Sequence, residues 1–440
     1  MNRFLAGAAK VTISPPPCIR LAGYGARSEP AQGVHDDLWA QVLVLGDGER
    51  QVAVATVDVL ALSAELVSEV RCSLEQEPGI PATHVLFCAS HTHSGPDLTA
   101  DTDRSTAYRA ELSEKLRRAM RAALHNRREA RVLSRTGLLP EIARNRRPGG
   151  GPMDPEVGVL GVETTQGELI AILVNYTCHA TVLGADNLLT SADYPGYMRA
   201  AIEGRLGQDV VILFANGALG NINPGGYSPE LSMIGHPIPH RTFADAGHLG
   251  TRLAAVVLQV LEQPGPAVAP LVDSRSTWVE LPFKDRLSRH QVEADLTQRQ
   301  RAVAELTQKQ ARPDECLTAQ IELAYARLRL SLLEALEREG PAALAEVQAV
   351  RIGDAYLVGI PGEPFVEIGL EIKRRSGLPH VFVVGLANGY VGYIPTEEAY
   401  AVGGYEPAAA RVAPGADAAI VNTALSLLES LQQEKTEGKR

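Results

Sequence analysis

Residues 84–96 read HVLFCASHTHSGP. Val85–Ala89 is an unbroken apolar run of strand length, too short for a helix and bounded by polar and turn-forming residues. Such a run reads as a buried strand. It ends at Ser90, and His91 and His93 follow at once. In an extended segment residues i and i+2 point the same way, so the two imidazoles face one cavity. In α/β sheets, ligands bind beyond the carboxyl ends of the strands, which is where this pair stands.

Working outward, QVAVATVDVLAL (51–62), ELIAILVNYTCHA (168–180) and DVVILFANGALG (209–220) read as further buried strands. AELVSEVRCSLEQE (64–77), AYRAELSEKLRRAMRAAL (107–124) and YPGYMRAAIEGRLG (194–207) carry helical periodicity. The alternation implies an α/β fold with a mixed central sheet flanked by helices. ARNRRPGGGPMDPEVG (143–158) is too rich in Gly and Pro for either element and reads as a loop. Residues 285–338 are charged and periodic, broken at Pro313, and read as an inserted helical hairpin with solvated outer faces. Strands return in EVQAVRIGDAYLVGIPGEP (346–364) and HVFVVGLANGYVGYIP (380–395). With no repeats or clear linker, residues 1–430 read as a single catalytic domain. Residues 431–440 read as a disordered polar tail.

The 440 residues are 45% hydrophobic and 21% charged, as expected of a globular chain with a large core. A net charge of −10 gives no electrostatic case for a nucleic-acid partner. No apolar run approaches the ~18 residues of a transmembrane segment. The opening MNRFLAGAAK lacks the apolar stretch of a secretion signal, so a cytoplasmic location is expected. The five cysteines include no CxxC pair, which argues against a disulfide framework or a thiolate metal site. Cys88 and Cys178 sit in strand-like runs and read as small buried hydrophobes.

Other strand ends repeat the opening pattern. His179 closes 168–180; Asn216, Asn221 and Asn223 follow the apolar run of 209–220; Glu363 and Tyr393 close the last two runs. Any one of these is more often a hydrogen-bonded structural residue or turn former than a ligand. Together they suggest a metal, because neutral imidazole and carboxylate suit Zn²⁺ and a catalytic zinc keeps one position open.

These motifs carry a family resemblance. ASHTHSGP, NYTCHAT, GNINP, IPGEP and YIPTEEAYAVGGYE, in this order, resemble the successive motifs of the neutral/alkaline non-lysosomal ceramidases. The part resembled is their N-terminal zinc catalytic domain. AGAAKVTISPPP is similar to that domain's start, and the likeness runs from about residue 6 to about residue 410. It implies one Zn²⁺ per chain, held by His91, His179, Glu363 and Tyr393. It also implies that His93 and Tyr405 act at the substrate carbonyl, and that an N-acyl amide is hydrolysed by metal-activated water. Tyr405 follows Tyr393 at the family's spacing of 12 residues.

Two departures qualify the substrate. Asn223 stands where the family carries a serine needed for activity, so either zinc-activated water suffices and Asn223 positions substrate, or the chemistry differs. The family's following β-sandwich and a leader are also not seen, so the expected substrate is a small-molecule amide smaller or more polar than ceramide. Arg146 reads as an anion or carbonyl contact, or else as a solvated loop arginine. Asp58 and Asp193 read as carboxylates orienting the ligand histidines, or as helix caps and turns. His35 is a further lining candidate. The alternatives are an esterase, lactonase or cyclic-amide hydrolase on the same zinc, a non-catalytic binding homologue, and a plain scaffold with structural histidines.

Overall fold

The computed structural model describes residues 3–76, 79–263, 271–285 and 287–437. Two sheets form its centre. The larger has eight strands in the spatial order Val211–Asn216, Leu169–Tyr176, Glu156–Thr164, Arg128–Leu138, Leu5–Thr12, Trp39–Gly46, Gln51–Val57 and Val85–Ala89. The smaller runs Val272–Pro282, Ala342–Ile352, Ala355–Gly359 and His380–Val384. Their facing surfaces share one apolar layer that includes Leu43, Leu86, Leu173, Leu213, Leu357 and Phe382. Because both faces of these strands are covered, the sequence runs are apolar throughout instead of alternating.

Helices cover the outer faces. Ala64–Gln76 and Asp103–His125 pack over one half of the large sheet, and Tyr194–Leu206 and Phe243–Leu261 over the other. Val366–Ser376 and Ala416–Glu437 cover the small sheet. The architecture is therefore the expected mixed α/β arrangement. The 285–338 segment forms two helices, Arg289–Gln308 and Pro313–Arg338, with Pro313 in the first turn, where its missing N–H costs nothing. Among the described residues, no helix is long and apolar enough to cross a membrane.

Some expectations are corrected. The 143–158 loop contains a short strand, Ala143–Asn145, paired with Ile222–Pro224, and its end opens strand Glu156–Thr164. Tertiary pairing there overrides the Pro- and Gly-rich composition. Helix Ala416–Glu437 runs through the start of the expected 431–440 tail, and Leu431 is buried. Residues 438–440 lie outside the described residues.

The strands that carry polar ends come as three parallel pairs: Gln51–Val57 with Val85–Ala89, Leu169–Tyr176 with Val211–Asn216, and Ala355–Gly359 with His380–Val384. Asn216 ties the pairs together. Its side-chain Nδ2 donates to the carbonyls of Ser90 and Cys178, its Oδ1 accepts from the Cys178 N–H, and its own carbonyl accepts from Gly385 N–H. Asn216 is fully buried, so no water can replace these bonds. Asn216→Leu is expected to cost about 3 kcal/mol, since each orphaned buried group costs ~1–3 kcal/mol. Urea unfolding would show this, and a loss below about 1 kcal/mol would mean that the strand ends hold one another without the amide.

Candidate metal centre

Each key side chain is placed by a strand end. His91 lies just past Val85–Ala89 in the left-handed backbone region (φ 66°), a conformation costly for a non-glycine residue and held here by tertiary contacts. Its N–H donates to Val59 O and its Nδ1 lies 2.7 Å from Leu60 O. His179 follows Leu169–Tyr176, and both its N–H and its Nδ1 are bonded to Ile222 O, at 3.0 and 2.9 Å. Glu363 follows Ala355–Gly359 and pairs as a short parallel bridge with Tyr393. Gly220 lets the neighbouring loop pass close, because a Cβ there would sit 2.4 Å from Glu363 O.

These three side chains meet at one point. Glu363 Oε2 lies 2.9 Å from His179 Nε2 and 3.5 Å from His91 Nε2, and all three residues are buried. A carbonyl oxygen accepts, so each Nδ1 carries a ring proton, and a ring with no second proton aims an Nε2 lone pair at the carboxylate. Burial pushes His179 down to about 4, so this ring is neutral at pH 7. Two ring nitrogens and a carboxylate oxygen converge on one point, a donor set that suits a bound cation, and backbone carbonyls on the far nitrogens are the usual support of metal-ligating histidines. One nitrogen each from His91, His93 and His179 also lies within 4.8 Å of the others.

Tyr393 lies beside the cluster, its backbone paired with that of Glu363. Burial pushes its hydroxyl well above the ordinary tyrosine range, and the charge of Glu363 adds to this while Arg146 opposes it. Its oxygen accepts from Arg146 Nη2 at 3.1 Å. Arg146 is buried and also donates to Glu406, Gly220 O and Asn223 Oδ1. Asn223 Nδ2 donates to Thr181 Oγ1 at 2.6 Å. Arg146 and Asn223 thus form a bracket behind Tyr393.

His93 and Tyr405 face the cluster from the sides. The His93 ring lies 4.9 Å from that of His91 and 4.8 Å from that of Tyr24. Both of its ring nitrogens are buried without a hydrogen-bond partner. Burial first, then His91 and His179, push its pKa well below 6.5, so it is a neutral ring with one donor and one acceptor unused. Gly23 makes room for it, since a Cβ there would come within 2.4 Å of the ring. Tyr405 packs edge-on to Tyr393 at 5.7 Å, and burial raises its hydroxyl pKa.

The geometry agrees with the comparisons to known proteins. No family model matches the chain. Neutral ceramidase of Pseudomonas aeruginosa is 24% identical over an alignment covering 94% of this chain and 71% of that protein. Neutral ceramidase of Mycobacterium tuberculosis is 24% identical, covering 99% and 78%. The crystal structure of the Pseudomonas aeruginosa enzyme superposes with a TM-score of 0.75 at 21% identity, over 99% of this chain and 75% of that one. This chain is similar to the neutral ceramidases over nearly its whole length.

Within this ceramidase homologue, some sequence expectations move. Asp58 does not orient a histidine. It accepts from Arg199 and from Trp39 N–H, because a buried carboxylate takes the nearest guanidinium. Asp193 caps helix Tyr194–Leu206 and accepts from Leu183 N–H. Backbone carbonyls of Leu60 and Ile222 do the orienting instead. His35 bonds Tyr197 and stacks on Phe243 at 3.7 Å, and does not join the cluster. Arg146 is neither a solvated loop residue nor an open anion contact.

Tyr390 was not singled out from sequence, yet its hydroxyl donates to Glu363 Oε1 at 2.6 Å. It occupies one carboxylate oxygen and leaves Oε2 to face the imidazoles. The only signal was a tyrosine three positions before Tyr393, hidden in a run that reads as strand. Tyr390→Phe is expected to weaken metal binding about 10–100-fold, the usual effect of losing an outer-shell partner. Competition against a chelator dye measures this; unchanged affinity would show that Glu363 needs no such anchor.

Proposed function

We propose that this chain is a zinc-dependent amidohydrolase that cleaves an N-acyl amide bond. The carrying observation is the convergence of His91 Nε2, His179 Nε2 and Glu363 Oε2 on one buried point. It fits a cation, and the imidazole, carboxylate and phenol donor set favours zinc. Tyr393 would be the fourth residue to hold it, through its hydroxyl oxygen. A zinc held there would supply an activated water and polarise the substrate carbonyl.

The remaining roles belong to the chain's own residues. His93 offers an unpaired N–H beside the cluster, and Tyr405 keeps its proton because burial raises its pKa. Both are proposed as neutral donors to the oxygen of the tetrahedral intermediate, where preorganised donors contribute most. Arg146 is a positioning residue: it fixes the Tyr393 oxygen and is itself fixed by Glu406. Asn223 holds Arg146 and Thr181 and acts through them. The proposed substrate is smaller or more polar than ceramide, because an amide group at position 223 replaces the family serine.

Product release from N-acyl amides of acetyl to palmitoyl length, with matched esters and cyclic amides, tests the reading. Chelator-sensitive cleavage of an amide faster than its ester is expected, and cleavage of no amide would contradict it. Tyr405→Phe is expected to lower kcat/KM about 10²–10³-fold, as loss of one oxyanion donor does, with bound metal unchanged. Near-normal turnover by Tyr405→Phe would remove that residue from the chemistry.

A further inference from the structure

A cavity of about 670 Å³ opens beside Tyr405, within the ~300–1,000 Å³ usual for small-molecule sites. One wall is the core domain, through Met233 and Ile234. The other is the inserted helix Pro313–Arg338, through Leu323, Leu328 and Arg327. The insertion is fixed in this position: Tyr325 donates to Glu230, beside Met233, at 3.1 Å. The hairpin is therefore a wall of a cleft that reaches Tyr405.

Arg327 is the distinctive member of that wall. Some arginines of the hairpin have carboxylate partners, Arg299 on Glu322 and Arg329 on Asp295 among them. Arg327 has none among the described residues. Its helical neighbours three and four positions away are Leu323, Ala324, Leu330 and Ser331, so no acid stands within one turn of it on its own face. An uncompensated guanidinium stands among apolar side chains, in a cleft that continues to Tyr405.

We infer that the cleft selects an amide carrying both a hydrocarbon portion and a carboxylate, an N-acyl amino acid in chemical class. The hydrocarbon lies against Leu323, Leu328, Met233 and Ile234, and the carboxylate pairs with Arg327. This inference rests on the amidohydrolase reading for the bond cleaved, but not for the binding preference. Because Arg327 is exposed, the selectivity is modest, about two- to fivefold in affinity, and falls with added salt.

The test uses uncleavable ligands. The ketone isostere of N-octanoylglycine, with a methylene in place of the amide N–H, is compared by calorimetry with its neutral primary amide on the full-length zinc-loaded protein. The carboxylate is expected to bind about two- to fivefold more tightly at low salt. Arg327→Gln should abolish the difference while leaving the neutral ligand's affinity unchanged, and Arg327→Lys should restore most of it. Equal binding of the two ligands, no binding of either, or a preference that survives in Arg327→Gln would each overturn the inference. The expected preference without hydrolysis of any amide would sustain it and refute the amidohydrolase reading instead.

Discussion

A carboxylate buried against two imidazoles is the constraint around which this molecule is arranged. Glu363 is withdrawn from water, and a buried charge without a partner is costly. Tyr390 holds Glu363 Oε1, and Oε2 faces His91 Nε2 and His179 Nε2, whose Nδ1 atoms are bonded to Leu60 O and Ile222 O. The donor set at the common point is one that suits a metal cation. The strained backbone at His91 makes sense on the same terms, as local cost is accepted where geometry must be held.

The surrounding framework keeps that geometry from relaxing. The three side chains come from three different strand ends, so their spacing depends on how two sheets meet. Asn216 joins those ends from within, and Arg146 locks Tyr393, Asn223, Gly220 and Glu406 into one bracket. Both are fully used by protein partners. Their contribution is positional, which separates them from His93, whose ring nitrogens remain unspent.

Much of this was legible before the fold. Val85–Ala89 and Val211–Asn216 announce themselves because burial on both faces leaves only apolar side chains, and the polar residues after them mark the carboxyl ends. Strand Arg128–Leu138 does not, since its mixed, partly exposed sequence has neither clean alternation nor an apolar run. The orienting groups of the histidines were illegible for a different reason: they are backbone carbonyls, which carry no side-chain signature. Asp58 misled because its true partner, Arg199, is 141 residues away. Tyr390 was hidden because a tyrosine within an apolar stretch is ordinarily core.

The central claim is that His91, His179 and Glu363 bind a metal ion. Elemental mass spectrometry of the purified full-length chain, beside His179→Ala, tests it most directly. One zinc per chain in the wild type and far less in the variant is the expected result. A wild-type protein that holds no metal after incubation with zinc, yet remains as thermally stable as before, would contradict it.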